Sequence, residues 1–378
     1  MSSSPLVQMI SEALKDGIKQ GRYPVGKALP SERQLCEEFA VSRATLRQAI
    51  LRLGNEGLLI RKNHCQPVVA SRDSAPTYMS AKSRYVALWL WPATEDYGAS
   101  LIVKGIQKAL LGSHFRLYIP NALGDDWDDL IRREREFFEN TIYDQDAIGV
   151  IAWCVGGESN RSAIQKLQEA NIPMVFIDRL PPAGIDADFV GTENLISSQN
   201  TIDHLISLGH RRIAYATNLE EVSSVKDREK GYRNALSDAG IPFDPSLVVP
   251  LPQNARLPIE AAADQIVSLL LQNPEPPTAI ACVNDLIALL VIDALKRRGI
   301  NVPDQISITG FDGMLRWMPG GGHFSTANQP FQRIGEVAAK MLLERVETNQ
   351  TPTHSFRHVL LEAPFQDKGS VKRLEYWD

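Results

Sequence analysis

Cysteine is scarce in this chain, and what there is lies scattered. Cys36, Cys65, Cys154 and Cys282 form no C-x-x-C pair, so neither a disulfide framework nor a zinc site is expected and the thiols read as reduced. Long apolar runs are missing too, since no window approaches the ~20 residues that span a bilayer. Met1 is followed by "SSSPLVQMISEAL", which has no basic n-region and no long apolar stretch. That argues against a secretory signal and for a cytoplasmic protein with no membrane association. There is no G-x-S-x-G elbow and no carboxylate pair placed for hydrolysis, so the residues offer no catalytic set. His204 and His210 stand six apart in "HLISLGH", the wrong spacing for two ligands on one helical face, and no metal is expected. "PGGGH", Pro319 to His323, lacks the Lys and the glycine spacing of a phosphate-binding loop and reads as a rim loop. No cofactor is implied.

What is present is ordinary globular material of two-domain length: 378 residues, 44% hydrophobic and 22% charged. The net charge of −5 is unevenly divided. Up to Arg72 there are 11 Lys and Arg against 6 Asp and Glu, a net +5, and the remainder carries 29 against 39, a net −10. A basic front on an acidic body suggests a polyanion-binding module joined to something else.

The basic front holds three helix patterns. Leu6, Ile10, Leu14 and Ile18 recur at four-residue spacing. After the loop "GRYPVGKALP", Ser31 and Gln34 form a capping-box pattern for a short second helix ending near Phe39. Ser42 then caps a third helix with Leu46, Ala49, Ile50 and Leu53 on one stripe and Arg43 and Arg47 off it. "LLIRKNHCQPVVA" reads as two short strands around a polar turn. Three helices and a hairpin make a winged helix-turn-helix, whose third helix fits a major groove where arginine donates two hydrogen bonds to guanine. On pattern alone, a solvated three-helix bundle with surface arginines remains the alternative.

"GRYPVGKALPSERQLCEEFAVSRATLRQAILRLGNEGLL" resembles the DNA-binding domain of GntR-type bacterial regulators, through "LPSER", "VSRATLR" and the L-x-x-E-G-L-L run. The resemblance implies that Arg33, Ser42, Arg43, Thr45 and Arg47 approach double-stranded DNA. The family's wing carries glycines that "RKNHCQPVV" lacks, so Lys62, Asn63 and His64 are expected to touch phosphate rather than enter the minor groove.

"SRDSAPTYMSAKS" is polar and aperiodic, a linker over 71–83 between a head at 1–70 and a body at 84–378. The body alternates apolar strand runs ("RYVALWLW", "HFRLYIP", "AIGVIAWCV", "PMVFIDR", "RRIAYAT", "TAIACV", "ISITGF") with helical stretches, the pattern of parallel sheets covered on both faces. Its length suggests two similar lobes, although no internal sequence repeat is visible. Ligands of doubly wound folds gather beyond the C-terminal strand ends. Those ends supply Asp178 and Arg179, Asn284 and Asp285, Asp312, and the "NQPF" segment, while Arg228 opens a helix in "DREKGYRNAL". Carboxylates, amides and guanidinium groups with an aromatic face, here Trp91 or Tyr97, suit a sugar. Asn284 and Asp285 can equally be helix caps. "KRRG", Lys296 to Gly299, is a cationic helix end favoured by the helix dipole.

"DREKGYRNALSDAGI", "PPTAIACVNDLIALLVIDALKRRGINVPDQISITGFDG" and "STANQPFQRIGEVAAKMLLERV" resemble the effector domain of LacI/GalR-type regulators. The implied fold is α/β, a bilobed periplasmic-binding-protein-like domain of two doubly wound parallel sheets. The implied effector contacts are Asp178, Arg228, Asn284, Asp312, Gln329 and Phe331. The combined resemblance is to hybrid arabinose-responsive repressors: a homodimer on operator DNA answering to a sugar or sugar derivative. Two rivals share parts of the pattern, a solute receptor for transport and a GntR-headed aminotransferase-like enzyme.

Overall fold

A computed structural model describes residues 5–24, 26–55, 59–60, 67–69, 84–90, 97–120, 126–218, 222–251, 259–314, 324–348 and 355–374. The chain divides into two compact units, Met1–Ser83 and Arg84–Asp378.

The first unit contains α1 (Pro5–Lys19), α2 (Glu32–Phe39), α3 (Arg43–Asn55), β1 (Leu59–Ile60) and β2 (Val68–Val69). Ser31 closes the expected capping box: its Oγ accepts the Gln34 N–H at 3.3 Å and its own N–H donates to Gln34 Oε1 at 3.0 Å. At the other end Ala40 turns left-handed, φ 52°, and its N–H closes the helix on the Cys36 carbonyl. Ile10, Leu14, Leu35, Leu46, Ala49, Ile50 and Leu53 meet in one core, so the expected stripe of α3 faces inward. The β1–β2 hairpin is antiparallel, and residues 26–29 run along β2 through three backbone hydrogen bonds, from Gly26 and Leu29 outward and from Val69 back. A hairpin this short is marginal alone, and the extra segment fixes it to the helices.

The second unit begins with β3 (Tyr85–Trp89), α4 (Tyr97–Leu110), β4 (Arg116–Tyr118), α5 (Trp127–Tyr143), β5 (Ala147–Ala152), α6 (Arg161–Glu169), β6 (Met174–Ile177) and β7 (Asp188–Thr192). It continues with α7 (Asn194–Ser207), β8 (Ile213–Thr217), α8 (Ser223–Asp238), β9 (Val248–Pro250), α9 (Ile259–Leu271), β10 (Ala279–Cys282), α10 (Asp285–Arg297), β11 (Ser307–Phe311) and β12 (Ser325–Ala327). The last elements are α11 (Phe331–Glu347), β13 (His358–Leu361) and β14 (Phe365–Gln366).

Two six-stranded sheets result. Lobe 1 has the order β13-β7-β6-β5-β3-β4, all parallel; lobe 2 has β14-β12-β11-β10-β8-β9, with only β14 antiparallel. The orders match strand for strand, a structural repeat with no sequence repeat behind it. The chain passes between lobes after β7, β12 and β13. These crossings lie side by side: the Glu193 N–H donates to the Leu361 carbonyl at 2.8 Å and the Asn328 N–H to the Pro364 carbonyl at 3.0 Å.

Helix pairs cover one face of each sheet at backbone distance. A Cβ at Gly105 of α4 would lie 2.0 Å from the Gln332 carbonyl of α11, and one at Gly231 of α8 would lie 2.3 Å from the Leu195 carbonyl of α7. Neither helix pair can carry a larger residue at those points without separating.

Candidate functional site

The strand ends that face the interlobe crossings carry the polar residues. Asp178 follows β6 in lobe 1 and Asp312 follows β11 in lobe 2, the same position in the two sheets. Both backbones are left-handed, φ 62° and 122°. Each N–H donates to the neighbouring strand, Asp178 to the Val190 carbonyl at 3.0 Å and Asp312 to the Ala327 carbonyl at 2.8 Å. Non-glycine residues held at positive φ concentrate at functional sites, where the surroundings over-determine them.

Arg228 is the hub on the lobe 2 side. Sequence reading places it at the start of a helix, but it lies six residues into α8, which begins at Ser223. The apolar pattern of that first turn is too thin to show from sequence. From α8 the side chain, 6% exposed, reaches Asn194 Oδ1 with Nε at 2.8 Å, and the Val283 carbonyl and Asp312 Oδ1 with Nη1 at 2.8 and 3.3 Å. Its guanidinium lies 3.8 Å from the centroid of the Phe311 ring, a cation–π contact. Gln329 spans the crossing: its Nε2 donates to Asp312 Oδ1 at 2.7 Å, and its Oε1 accepts the Thr192 hydroxyl at 2.5 Å.

Asn284 caps α10, its Oδ1 accepting the Ile287 N–H at 2.9 Å, which leaves its NH₂ to offer a ligand. Asp285 is structural. Its Oδ1 accepts the Thr326 hydroxyl at 2.6 Å and its Oδ2 the Met314 N–H at 2.7 Å, which ties down the loop bearing Asp312. Burial, and then the charge of Asp312, push the Asp285 carboxyl up to about 7. Gly310 makes room for it, since a Cβ there would sit 2.3 Å from Asp285 Oδ1.

Lobe 1 faces this network differently. Among the described residues none donates to the Asp178 carboxylate, although Asp178 is buried. Phe331 opens α11, and its ring packs 6.4 Å from that of Trp153, the residue after β5. The Trp153 indole N–H is buried without a hydrogen-bond partner among the described residues. Arg179 follows Asp178. Burial, and then the neighbouring Glu134 carboxylate, push the Cys154 thiol up, which the charge of Arg179 partly opposes. Trp91 lies outside the described residues, as does the side chain of Tyr97.

Sequence reading missed Thr192, Asn194 and Trp153. Thr192 and Asn194 sit in "GTENL" at the end of β7 and the start of α7, and Trp153 directly follows β5. The larger cavities lie elsewhere, for instance a groove of about 510 Å³ lined by Tyr85, Trp89, Tyr118 and Phe137 beside α5. Among the described residues, no comparable set of buried, mutually bonded polar groups gathers there. His210 is satisfied within the fold by the Thr278 hydroxyl at 2.8 Å and the Lys372 carbonyl at 3.0 Å. At the "KRRG" helix end, Arg297 and Arg298 bond Asp264 of α9. "PGGGH" lies outside the described residues.

In the first unit, Arg43 is the first residue of α3 and exposed, whereas Leu46 and Ile50 further along the helix are buried. The Ser42 Oγ accepts the Thr45 N–H at 3.2 Å, so Ser42 caps α3. Arg33 and Arg47 stand on α2 and α3, with their side chains outside the described residues; Lys62, Asn63 and His64 lie outside them entirely.

Residues 6–64 match the model of bacterial regulatory proteins of the gntR family, and residues 202–364 that of the periplasmic binding protein-like domain. The chain joins a gntR-type domain to a periplasmic binding protein-like domain. The chain is similar over both parts to the arabinose metabolism transcriptional repressor of Geobacillus stearothermophilus, 27% identical across 91% of this chain and 92% of that one. It is similar also to the probable HTH-type transcriptional repressor ExuR of Bacillus subtilis strain 168, 28% identical over 80% and 85%. Among solved structures, a LacI family transcriptional regulator from Enterococcus faecium with bound ribose matches with a TM-score of 0.62 at 24% identity, over 77% of this chain and all of that one. That likeness supports the bilobed fold. No helix among the described residues is long and apolar enough to cross a membrane.

Proposed function

We propose that this regulator is a repressor of carbohydrate-utilisation genes, acting in the cytoplasm as a homodimer whose operator affinity is set by a sugar or sugar derivative bound between the two lobes. The observation that carries the reading is the Arg228–Asp312–Gln329 network facing the open Asp178 carboxylate, on a chain that begins with a gntR-type head. The arabinose metabolism repressor of Geobacillus stearothermophilus and the ribose-bound LacI family regulator, to which the chain is similar, point the same way.

Hydroxyl groups are both donors and acceptors, so a sugar can donate to Asp178 and Asp312 while accepting from Arg228 and the Asn284 amide. The Arg228–Asp312 bond, at 3.3 Å the longest in the set, is the one a hydroxyl most readily enters. Bonding to both lobes at once favours the arrangement in which they lie closest. A ligand shifts an equilibrium only by its differential affinity for the two arrangements, typically ~1–3 kcal/mol of coupling. In a twofold dimer that shift alters the spacing of paired heads joined through the proposed linker at 71–83.

At the DNA, Arg43 and Arg47 are proposed to read base edges from the start of α3. Arg33, Ser42 and Thr45 support them, and Lys62, Asn63 and His64 of the wing hold phosphate. A thermal-shift screen of pentoses, hexoses, uronic acids and their phosphates tests the reading, since a bound effector stabilises by mass action. At least one sugar should raise the midpoint and change operator retention in a gel-shift assay. If every sugar leaves both unchanged, the reading fails.

A further inference from the structure

The loop after β5 is built around a buried carboxylate that the crevice network does not use. Glu134 lies in the middle of α5 and is 0% exposed. Its Oε1 accepts the Val155 N–H at 2.7 Å, and its Oε2 accepts the Gly156 N–H and the Asn160 Nδ2–H, each at 2.7 Å. Asn160 is itself fixed, donating to the Ile131 carbonyl at 2.9 Å and accepting from Arg135 Nε at 3.1 Å. The loop closes tightly on this anchor: a Cβ at Gly156 would meet Asn160 Nδ2 at 2.3 Å and Glu134 Oε2 at 2.7 Å. A buried charge is costly unless hydrogen-bonded, and an apolar residue at 134 would fill the space more cheaply while leaving three inward-pointing donors unmet. The carboxylate is therefore explained by the donors it collects, and two of those donors belong to the segment directly after Trp153.

We propose that Glu134 is a positioning residue for the effector crevice, fixing the loop after β5 and through it the place of Trp153 beside Phe331. The proposal rests on the crevice reading above. Trp153 is the turning point between β5, which belongs to the sheet, and the segment Glu134 holds. Its ring lies against Phe331 at the crossing into α11, and its indole N–H has no partner among the described residues. Moving the loop moves a donor and an aromatic wall together. The effector favoured by this arrangement carries a hydrogen-bond acceptor next to a C–H face, as a pyranose or furanose ring does.

The test uses Glu134→Gln, Trp153→Leu and the double variant in the full-length protein. A glutamine keeps the shape but turns an NH₂ toward one of the three donors. The emission attributable to Trp153 is the difference between each protein and its Trp153→Leu counterpart, and it should shift in Glu134→Gln without any ligand present. With a sugar that stabilises the wild type, Glu134→Gln should weaken binding by about tenfold, the order of one charge-assisted hydrogen bond. The double variant should bind no more weakly than Trp153→Leu alone, because the two residues act through one element. Asn160→Ala, which removes one donor and leaves the carboxylate in place, should act in the same direction and serves if Glu134→Gln does not fold. Unchanged Trp153 emission, or single losses that simply add, overturns the proposal. Should no sugar bind the wild type, the crevice reading falls, and the emission alone still decides whether Glu134 places Trp153.

Discussion

The two lobes share one strand order and one left-handed aspartate at the same strand end, yet they present that aspartate in opposite states. Asp312 of lobe 2 is already bonded by Arg228 and Gln329, and Arg228 is in turn bonded by Asn194 and the Val283 carbonyl. Asp178 of lobe 1 is buried and receives no hydrogen bond from any described residue. A bilobed binder needs both properties, a rigid half that fixes the geometry of recognition and an open half that a ligand can complete. The difference predicts that breaking the Asp312 network of lobe 2 costs stability and function together, whereas substituting Asp178 of lobe 1 costs function alone.

The largest effect should come from Arg228→Ala. It leaves the half-buried Asp312 carboxylate with one donor fewer and Asn194 Oδ1 unmet, and removing one partner of a buried ion pair costs at most about 3–5 kcal/mol. Urea denaturation without ligand should show that loss, and sugar titration should show no response. A variant of wild-type stability would mean that the lobe 2 network is not the rigid half.

How much of this was legible beforehand follows from what the residues show on their own. Ser31 and Gln34 announce the start of α2 because a capping box is a local motif, and the third-helix stripe is local too. The parallel sheets were legible because strands buried on both faces read as apolar runs. The strand Asp188–Thr192 was not. It begins with a charge, and that charge is tolerated because Arg345 of α11, 157 positions away, bonds it bidentately and the Arg357 N–H donates to it at 2.8 Å. Asp178, Asp312 and Gln329 could be placed from strand ends and family likeness. The mutual bonding of Arg228 with Asn194, and the loop held by Glu134, join residues 21 to 34 positions apart through tertiary packing, which no spacing rule encodes.

A second test sharpens the contrast through pH. The folded-state pKa of Asp285, about 7, exceeds the ordinary value of 3.8. The folded protein therefore binds the Asp285 proton more tightly than the unfolded chain, and stability declines as pH rises from about 4 to about 7. Asp285→Asn removes that titration and also sets an NH₂ against the Met314 N–H, so it should be less stable at every pH. The gap between wild type and variant should narrow as pH rises through this window and stay level above it. Urea midpoints at pH 5, 6, 7 and 8 measure this, and a gap independent of pH would show that burial and the charge of Asp312 do not raise the Asp285 carboxyl.

The smallest stability effect should come from Asp178→Asn. Asparagine tolerates the left-handed backbone about as well as aspartate, so φ 62° is retained without added strain. No hydrogen bond from a described residue is lost, and the change should lie within the ±0.5 kcal/mol typical of substitutions away from such features. Function should respond quite differently, because a carboxylate accepting ligand hydroxyls is replaced by a group with one acceptor and two donors. Charge-assisted bonds contribute roughly 1.5–3 kcal/mol each, so sugar affinity should fall tenfold or more while operator affinity without sugar holds. Thermal midpoints with and without sugar separate the two quantities in one experiment. A destabilisation approaching that of Arg228→Ala would erase the distinction between the lobes, since it would mean that Asp178 is held as firmly as Asp312.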